Sequence, residues 1–233
     1  RVLSIPQNYR VLFLQGGATT QFAAIPMNLM RTGKADYAIT GNFANNAYKE
    51  AVKFGDIHVA FSSKEGNFDR VPTQAELDIR PDADYFYICA NNTIYGTEWQ
   101  YDPETPAGVP LVADMSSNIL SKPVDVSKYG VIYAGAQKNM GPAGVTVVIV
   151  REDLLGNYPL EKYPVMLDWK TMADKESMYN TPPTYGIYVL GLVLEWVEQM
   201  GGVKAMQELA EKRSGMLYDY LDSQDLYKAV AEK

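Results

Sequence analysis

Short apolar runs alternate with amphipathic stretches over the first two-thirds of the chain. Runs at 9–14 (YRVLFL), 36–40 (DYAIT) and 57–63 (IHVAFSS) predict strands, as do those at 84–91 (DYFYICAN), 109–114 (VPLVAD), 130–137 (GVIYAGAQ) and 144–151 (GVTVVIVR). The last four are continuously apolar, the pattern of strands covered on both faces. Helical segments are expected at 21–30 (QFAAIPMNLM) and 42–55, the second with a glycine stop at Gly55. A short helix is expected at 72–79, with Thr73 as N-cap and Glu76 as its capping-box partner. After 151 the chain turns to Tyr- and Pro-rich loops and then to two helices, at 184–200 and 202–222, broken at Gly201-Gly202.

This alternation predicts an α/β fold, a three-layer sandwich with a mostly parallel sheet. One domain is expected over 1–222, with its sheet core at 9–151 and a helical extension at 184–222; 223–233 reads as the start of a connection elsewhere.

Composition narrows the function classes. A net charge of −7 argues against nucleic-acid and anionic-membrane partners. The most apolar helical stretch, YGIYVLGLVLEWV, is too short to span a bilayer, so no membrane partner is expected. The single cysteine, Cys89, excludes an internal disulfide and fits a reducing, cytoplasmic compartment; it reads as a small buried hydrophobe. His58 is the only histidine, so no metal site is expected, and a structural or surface role is the simpler reading.

In parallel sheets, ligands lie beyond the carboxyl ends of the strands. Four such ends are chemically unusual: QGGATTQF, CANNTIYG, VADMSS and AGAQKN. Gly16 and Gly17 open a helix whose free N–H groups favour an anion, although a plain glycine turn reads equally well. Asp114 ends an apolar strand, either as a turn cap, with Ser116 and Ser117 following, or as partner of a protonated ring nitrogen. Lys138 ends the next strand; a lysine in a largely apolar crevice is prepared as a neutral amine to attack a carbonyl. Lysine, acid and anion cradle together are what pyridoxal phosphate chemistry requires.

Beyond these residues, QGGATTQFAAIPMNL, ADYAITGNFANNAYKEA, NNTIYGTE, the block from Val112 to Leu155, and YNTPPTYGIYVLGLVLEW follow one another in order. In these motifs the chain resembles the phosphoserine aminotransferases, of the class V aminotransferase group with the type I fold. The resemblance implies the large domain of a pyridoxal 5′-phosphate enzyme that moves an amino group from glutamate to a phosphorylated oxo acid. It implies Lys138 as the Schiff-base lysine and Asp114 as the partner of the pyridine nitrogen. Ala18 and Thr19 would cradle the cofactor phosphate with Gln137, Thr93 would lie beside the phenolic oxygen, and Phe43 would stack on the ring. Asn180 and Thr181 would reach the phosphate of the neighbouring subunit in a homodimer. From residues alone, Phe43 also reads as a core position of its helix and NTPPT as a rigid surface turn. Many members carry tryptophan where Phe43 stands and arginine where Thr19 stands, so backbone N–H groups would do more of the phosphate binding here. The family's substrate-phosphate His-Arg pair would precede Arg1, and its C-terminal small domain would follow Lys233.

Overall fold

The computed structural model describes residues 1–227 and 229–231. Its strands are β1 (Tyr9–Leu14), β2 (Lys34–Ile39), β3 (Asp56–Ser62), β4 (Phe86–Cys89), the two-residue pair β5 (Asn91–Asn92) and β6 (Thr97–Glu98), β7 (Leu111–Asp114), β8 (Val131–Gly135) and β9 (Thr146–Arg151). Its helices are α1 (Gly17–Leu29), α2 (Asn42–Ala51), α3 (Trp169–Asp174), α4 (Thr184–Gln199) and α5 (Gly202–Asp222). Seven strands form one sheet in the order β1-β9-β8-β7-β4-β2-β3. All run parallel except β9, which is antiparallel to both of its neighbours.

Strand periodicity divides the core into two layers. Tyr37, Tyr85, Tyr87, Val112, Val131, Tyr133 and Val148 face one side, where they meet Phe22 and Ile25 of α1, Ala44, Ala47 and Ala51 of α2, and Trp169 of α3. Phe86, Ile88, Leu111, Ala113, Ile132 and Ile149 face the other, where they meet Leu190 and Val197 of α4 and Val203 of α5. The sheet is therefore covered on both faces, which is why β4, β7 and β8 read as unbroken apolar runs.

Three local expectations change. Helix α2 stops at Ala51 rather than 55, and Gly55 is required by a close approach: a Cβ there would sit 2.2 Å from the Gly33 carbonyl oxygen. The helix expected at 72–79 shortens to one 3-10 turn, Gln74–Glu76. Its capping contact is present, with the Glu76 carboxylate accepting from the Thr73 N–H at 2.8 Å; the Arg70 guanidinium and Thr73 hold that carboxyl down to about 2. Within the Tyr- and Pro-rich stretch the sequence hides α3, capped by Asp168, whose carboxylate accepts from the Lys170 and Thr171 N–H groups. The helix break is as expected, with Gly201 and Gly202 both at positive φ. Of the expected connection at 223–233, positions 228, 232 and 233 lie outside the described residues.

One buried charge ties the loops to the sheet. Asp36 on β2 has a fully buried side chain and accepts from the Arg80 backbone N–H at 2.6 Å and from Arg80 Nε at 2.7 Å. Arg80 also bonds Asp56 at 2.7 Å. Removing one partner of such a pair leaves the other stranded away from water. Arg80→Ala is expected to lower unfolding stability by about 3–5 kcal/mol in urea titration.

Candidate active site

From β2 the chain runs outward through α2 to β3, whereas from β4 it runs the opposite way to β7. The crevice above β2 and β4 is thus the point where the strand order reverses. Asn92 closes the seam, its Oδ1 accepting from Thr40 Oγ1 at 3.2 Å and its Nδ2 donating to Thr97 Oγ1 at 3.1 Å. A Cβ on Gly41 would lie 2.6 Å from Asn92 Oδ1, so the backbone enters α2 in contact with this side chain. Phe43 and Thr93 both emerge here and both are exposed. Phe43 precedes the buried Ala44 by one position, which turns it about 100° off the packed face of α2. At 41% exposure it is no core residue.

Polar contacts continue along the strand ends. Asn91 Nδ2 donates to Ser117 Oγ at 2.9 Å. Asp114, 5% exposed, accepts at Oδ1 from the Ser116 N–H (2.8 Å) and Ser116 Oγ (2.6 Å). Ser116 Oγ in turn accepts from the Gly135 N–H at 3.1 Å. The ends of β2, β4, β7 and β8 are therefore joined by one belt of side chains, in which Asp114 supplies the carboxylate. Burial pushes the Asp114 pKa up, and the hydrogen bonds from Ser116, with the neighbouring Tyr133 side chain, pull it partly back. The turn-cap reading describes one oxygen of Asp114; the carboxylate as a whole still stands at the ligand edge of the sheet.

The β1–α1 turn lies level with this belt. Leu14 and Gly135 both pair with Thr146 across β9, so the ends of β1 and β8 stand on either side of one residue, about 10 Å apart. Gly16 and Gly17 take φ of 94° and 72°. No side chain caps α1 and its first turn carries no acid, which leaves the helix start to an anion. Ala18 is half-buried and Thr19 exposed in this turn. A Cβ on Gly16 would meet Thr20 Oγ1 at 2.4 Å, whereas one on Gly17 meets nothing within 4 Å. Gly16→Ala is therefore expected to destabilise more than Gly17→Ala, whose cost is the backbone term of about 1–2 kcal/mol; denaturant unfolding of the two variants checks the order.

Gln137 folds back over Gly135, its Oε1 2.6 Å from where a Cβ would be, and its side chain is exposed. Lys138 is also exposed, which corrects the expectation of an apolar crevice around it. It lies three residues past the end of β8, in a turn whose walls, Ala136 and Met140, point inward. The described residues leave the Lys138 side chain open to solvent. Asn180 and Thr181 are exposed as well. Asn180 lines a cleft of about 270 Å³ with Gly16 and Thr20, and the Thr181 carbonyl accepts from Gln15 Nε2 at 2.8 Å. Their turn is thus anchored to the β1–α1 loop of the same chain.

The aminotransferase class-V family model matches residues 1–233. The chain belongs to the class-V aminotransferase family. Curated relatives include the phosphoserine aminotransferase of Nitrosomonas europaea, 51% identical over 96% of this chain and 62% of that protein. Another is that of Drosophila melanogaster, 51% identical over 95% of this chain and 60% of that protein. Among solved structures, the pyridoxal-phosphate-bound phosphoserine aminotransferase of Trichomonas vaginalis superposes with a TM-score of 0.92 at 36% identity, covering 99% of this chain and 65% of that one. The chain spans somewhat over three-fifths of the length of the curated relatives it matches.

Membership of the class-V aminotransferase family implies pyridoxal phosphate, which makes three demands on the donor set at this edge. A phosphate needs N–H donors and no competing acid, as at the start of α1. A ring nitrogen that stays protonated needs a carboxylate held away from bulk water, as Asp114 is. A carbonyl needs an amine at the same edge, as Lys138 supplies. The residues fit. The turn-cap reading of Asp114 already pointed to Ser116, whereas sequence reasoning missed Asn92 as the brace of α2 and Trp169, whose indole N–H donates to Gln21 Oε1 at 3.1 Å and secures α1. Alternation within YFYIC, which puts Tyr85, Tyr87 and Cys89 on one face, was the available signal for the layer beneath Asp114.

Proposed function

We propose that the protein is a phosphoserine transaminase that converts L-glutamate and 3-phosphohydroxypyruvate to 2-oxoglutarate and O-phospho-L-serine, with the related phosphorylated hydroxythreonine pair as a second substrate set. The described residues are its cofactor-binding large domain. The observation that carries this reading is the belt of strand ends, with one buried carboxylate and an uncapped helix start level with it. The names of relatives about 50% identical support the substrate assignment.

Pyridoxal phosphate, when bound, supplies the electron sink that makes the substrate Cα proton removable. The N–H groups from Gly17, Ala18 and Thr19 would hold the phosphate, joined by the Gln137 amide. Asp114 would pair with the ring N–H and keep its proton in place. Phe43 would cover one face of the ring, and the Thr93 hydroxyl would donate toward the phenolic oxygen. Lys138 Nζ is the amine that would hold the cofactor, and when free it would serve as general base and then acid for the substrate Cα proton. The Asn180–Thr181 turn, exposed and braced by Gln15, serves the phosphate of a second copy in a homodimer.

Amino transfer from glutamate to a phosphorylated three-carbon oxo acid, followed by release of 2-oxoglutarate, tests the reading. Turnover that depends on pyridoxal phosphate and falls sharply when glyoxylate or pyruvate replaces the phosphorylated acceptor is expected. Cofactor binding without turnover would make the protein a binding module, and preference for glyoxylate would place it with another class-V activity.

A further inference from the structure

Four tyrosines, Tyr37, Tyr85, Tyr87 and Tyr133, are fully buried on the α1–α2 face of the sheet. Their hydroxyls meet in two pairs, Tyr37 with Tyr85 and Tyr87 with Tyr133, each at 2.8 Å. Tyr37 stacks on Tyr87 with ring centroids 4.6 Å apart, which locks the pairs together. Such a cluster is more than apolar filling, because every buried phenol carries a proton that needs an acceptor.

The Tyr87–Tyr133 pair has two O–H protons, and the bond between the hydroxyls uses one. The other must go to a third group. Tyr133 is the register partner of Asp114 across β7 and β8, on the same face, and Cys89 partners Asp114 from β4 on the other side. Asp114 Oδ1 is already occupied by both donors of Ser116. A carboxylate beside a phenol with a proton to place is the natural acceptor. Placing that proton on Asp114 would order the pair one way, with Tyr87 O–H donating to the Tyr133 oxygen and Tyr133 O–H to the carboxylate.

We infer that Tyr133, oriented by Tyr87, is a positioning residue that holds the Asp114 carboxylate ionised and fixed for the ring nitrogen of the cofactor. The inference rests on the pyridoxal phosphate reading of this site. The groups facing Asp114 are Tyr133 from β8, Cys89 and Tyr87 from β4, and Ser116 from its own turn. Burial opposes the Asp114 charge, and the Ser116 hydrogen bonds and the neighbouring Tyr133 side chain favour it. Without the Tyr133 hydroxyl, Asp114 takes up its proton at higher pH, and with it the pairing to the ring nitrogen is lost.

The test is equilibrium binding of pyridoxal phosphate, followed by its visible absorbance, across pH in the wild-type protein, Tyr133→Phe and Tyr87→Phe. Phenylalanine keeps the ring packing. Tyr133→Phe is expected to bind about tenfold more weakly at neutral pH, the effect of one lost hydrogen bond to a charged group. Its release of cofactor on acidification is expected to begin at higher pH than in the wild type. Tyr87→Phe, which leaves the direct donor in place, is expected to show a smaller shift in the same direction, and it carries the test if Tyr133→Phe does not fold. Wild-type affinity and an unmoved pH profile in the variants would overturn the inference, as would weaker binding with an unmoved profile, the mark of a packing role alone. If the wild-type protein itself binds no pyridoxal phosphate, the underlying site reading falls and the inference falls with it.

Discussion

Lys138→Ala is expected to abolish amino transfer while leaving the fold untouched. Among the described residues the lysine is the one amine that the β8 end presents at the ligand edge, and the proposed chemistry uses it twice, as covalent anchor and as proton carrier. Loss of a general acid–base alone slows reactions by roughly 10²–10⁴-fold, and losing the anchor adds to that. Because the side chain is exposed, removing it should change stability by no more than about 0.5 kcal/mol. Lys138→Arg separates charge from chemistry: a guanidinium stays protonated and can neither attack a carbonyl nor accept a proton. Steady-state assays with glutamate, beside thermal unfolding of both variants, check this. Activity within tenfold of wild type in either variant would remove Lys138 from the mechanism.

Asp114→Asn has effects of opposite sign on catalysis and on stability. The amide cannot balance the charge of a protonated ring nitrogen, so kcat is expected to fall by roughly 10²–10³-fold, as when a preorganised electrostatic group is removed. In the cofactor-free protein the carboxylate is a burden. Its pKa is raised by burial, so the folded state holds the proton more tightly than the unfolded chain. The stability linked to this group is present below the unfolded pKa and is lost as pH rises through the raised folded value. The asparagine side chain, permanently neutral, escapes that loss. The cofactor-free variant should therefore match the wild type in acid and melt above it at higher pH, a divergence that paired thermal scans across pH will show.

The sequence made Asp114 and Lys138 legible because each is a lone charge at the end of an apolar run, where parallel sheets place their ligands. Gly16 and Gly17 were legible for a related reason, standing between a strand and a helix. The positions of Phe43 and Thr93 at one crevice were not readable from spacing. They depend on the strand order, which reverses between β2 and β4, and only the resemblance brought them together beforehand. The tyrosine layer was hidden because YFYICA is apolar throughout; alternation assigns its faces only once the sheet is known to be covered on both sides. Helix α3 was lost among Tyr and Pro, although Asp168 ahead of WKT is a normal N-cap pattern. The exposure of Lys138 ran against the reading of a largely apolar crevice, because that reading extended β8 two residues past its end at Gly135.

Whether this sheet edge holds pyridoxal phosphate through Lys138 is decided most simply by chemical trapping. The purified protein is incubated with pyridoxal phosphate, reduced with borohydride and mapped by peptide mass. A pyridoxyl mass on the peptide carrying Lys138, absent from Lys138→Ala, is expected. Labelling scattered over other lysines, with the Lys138 peptide unmodified, would contradict the proposed site.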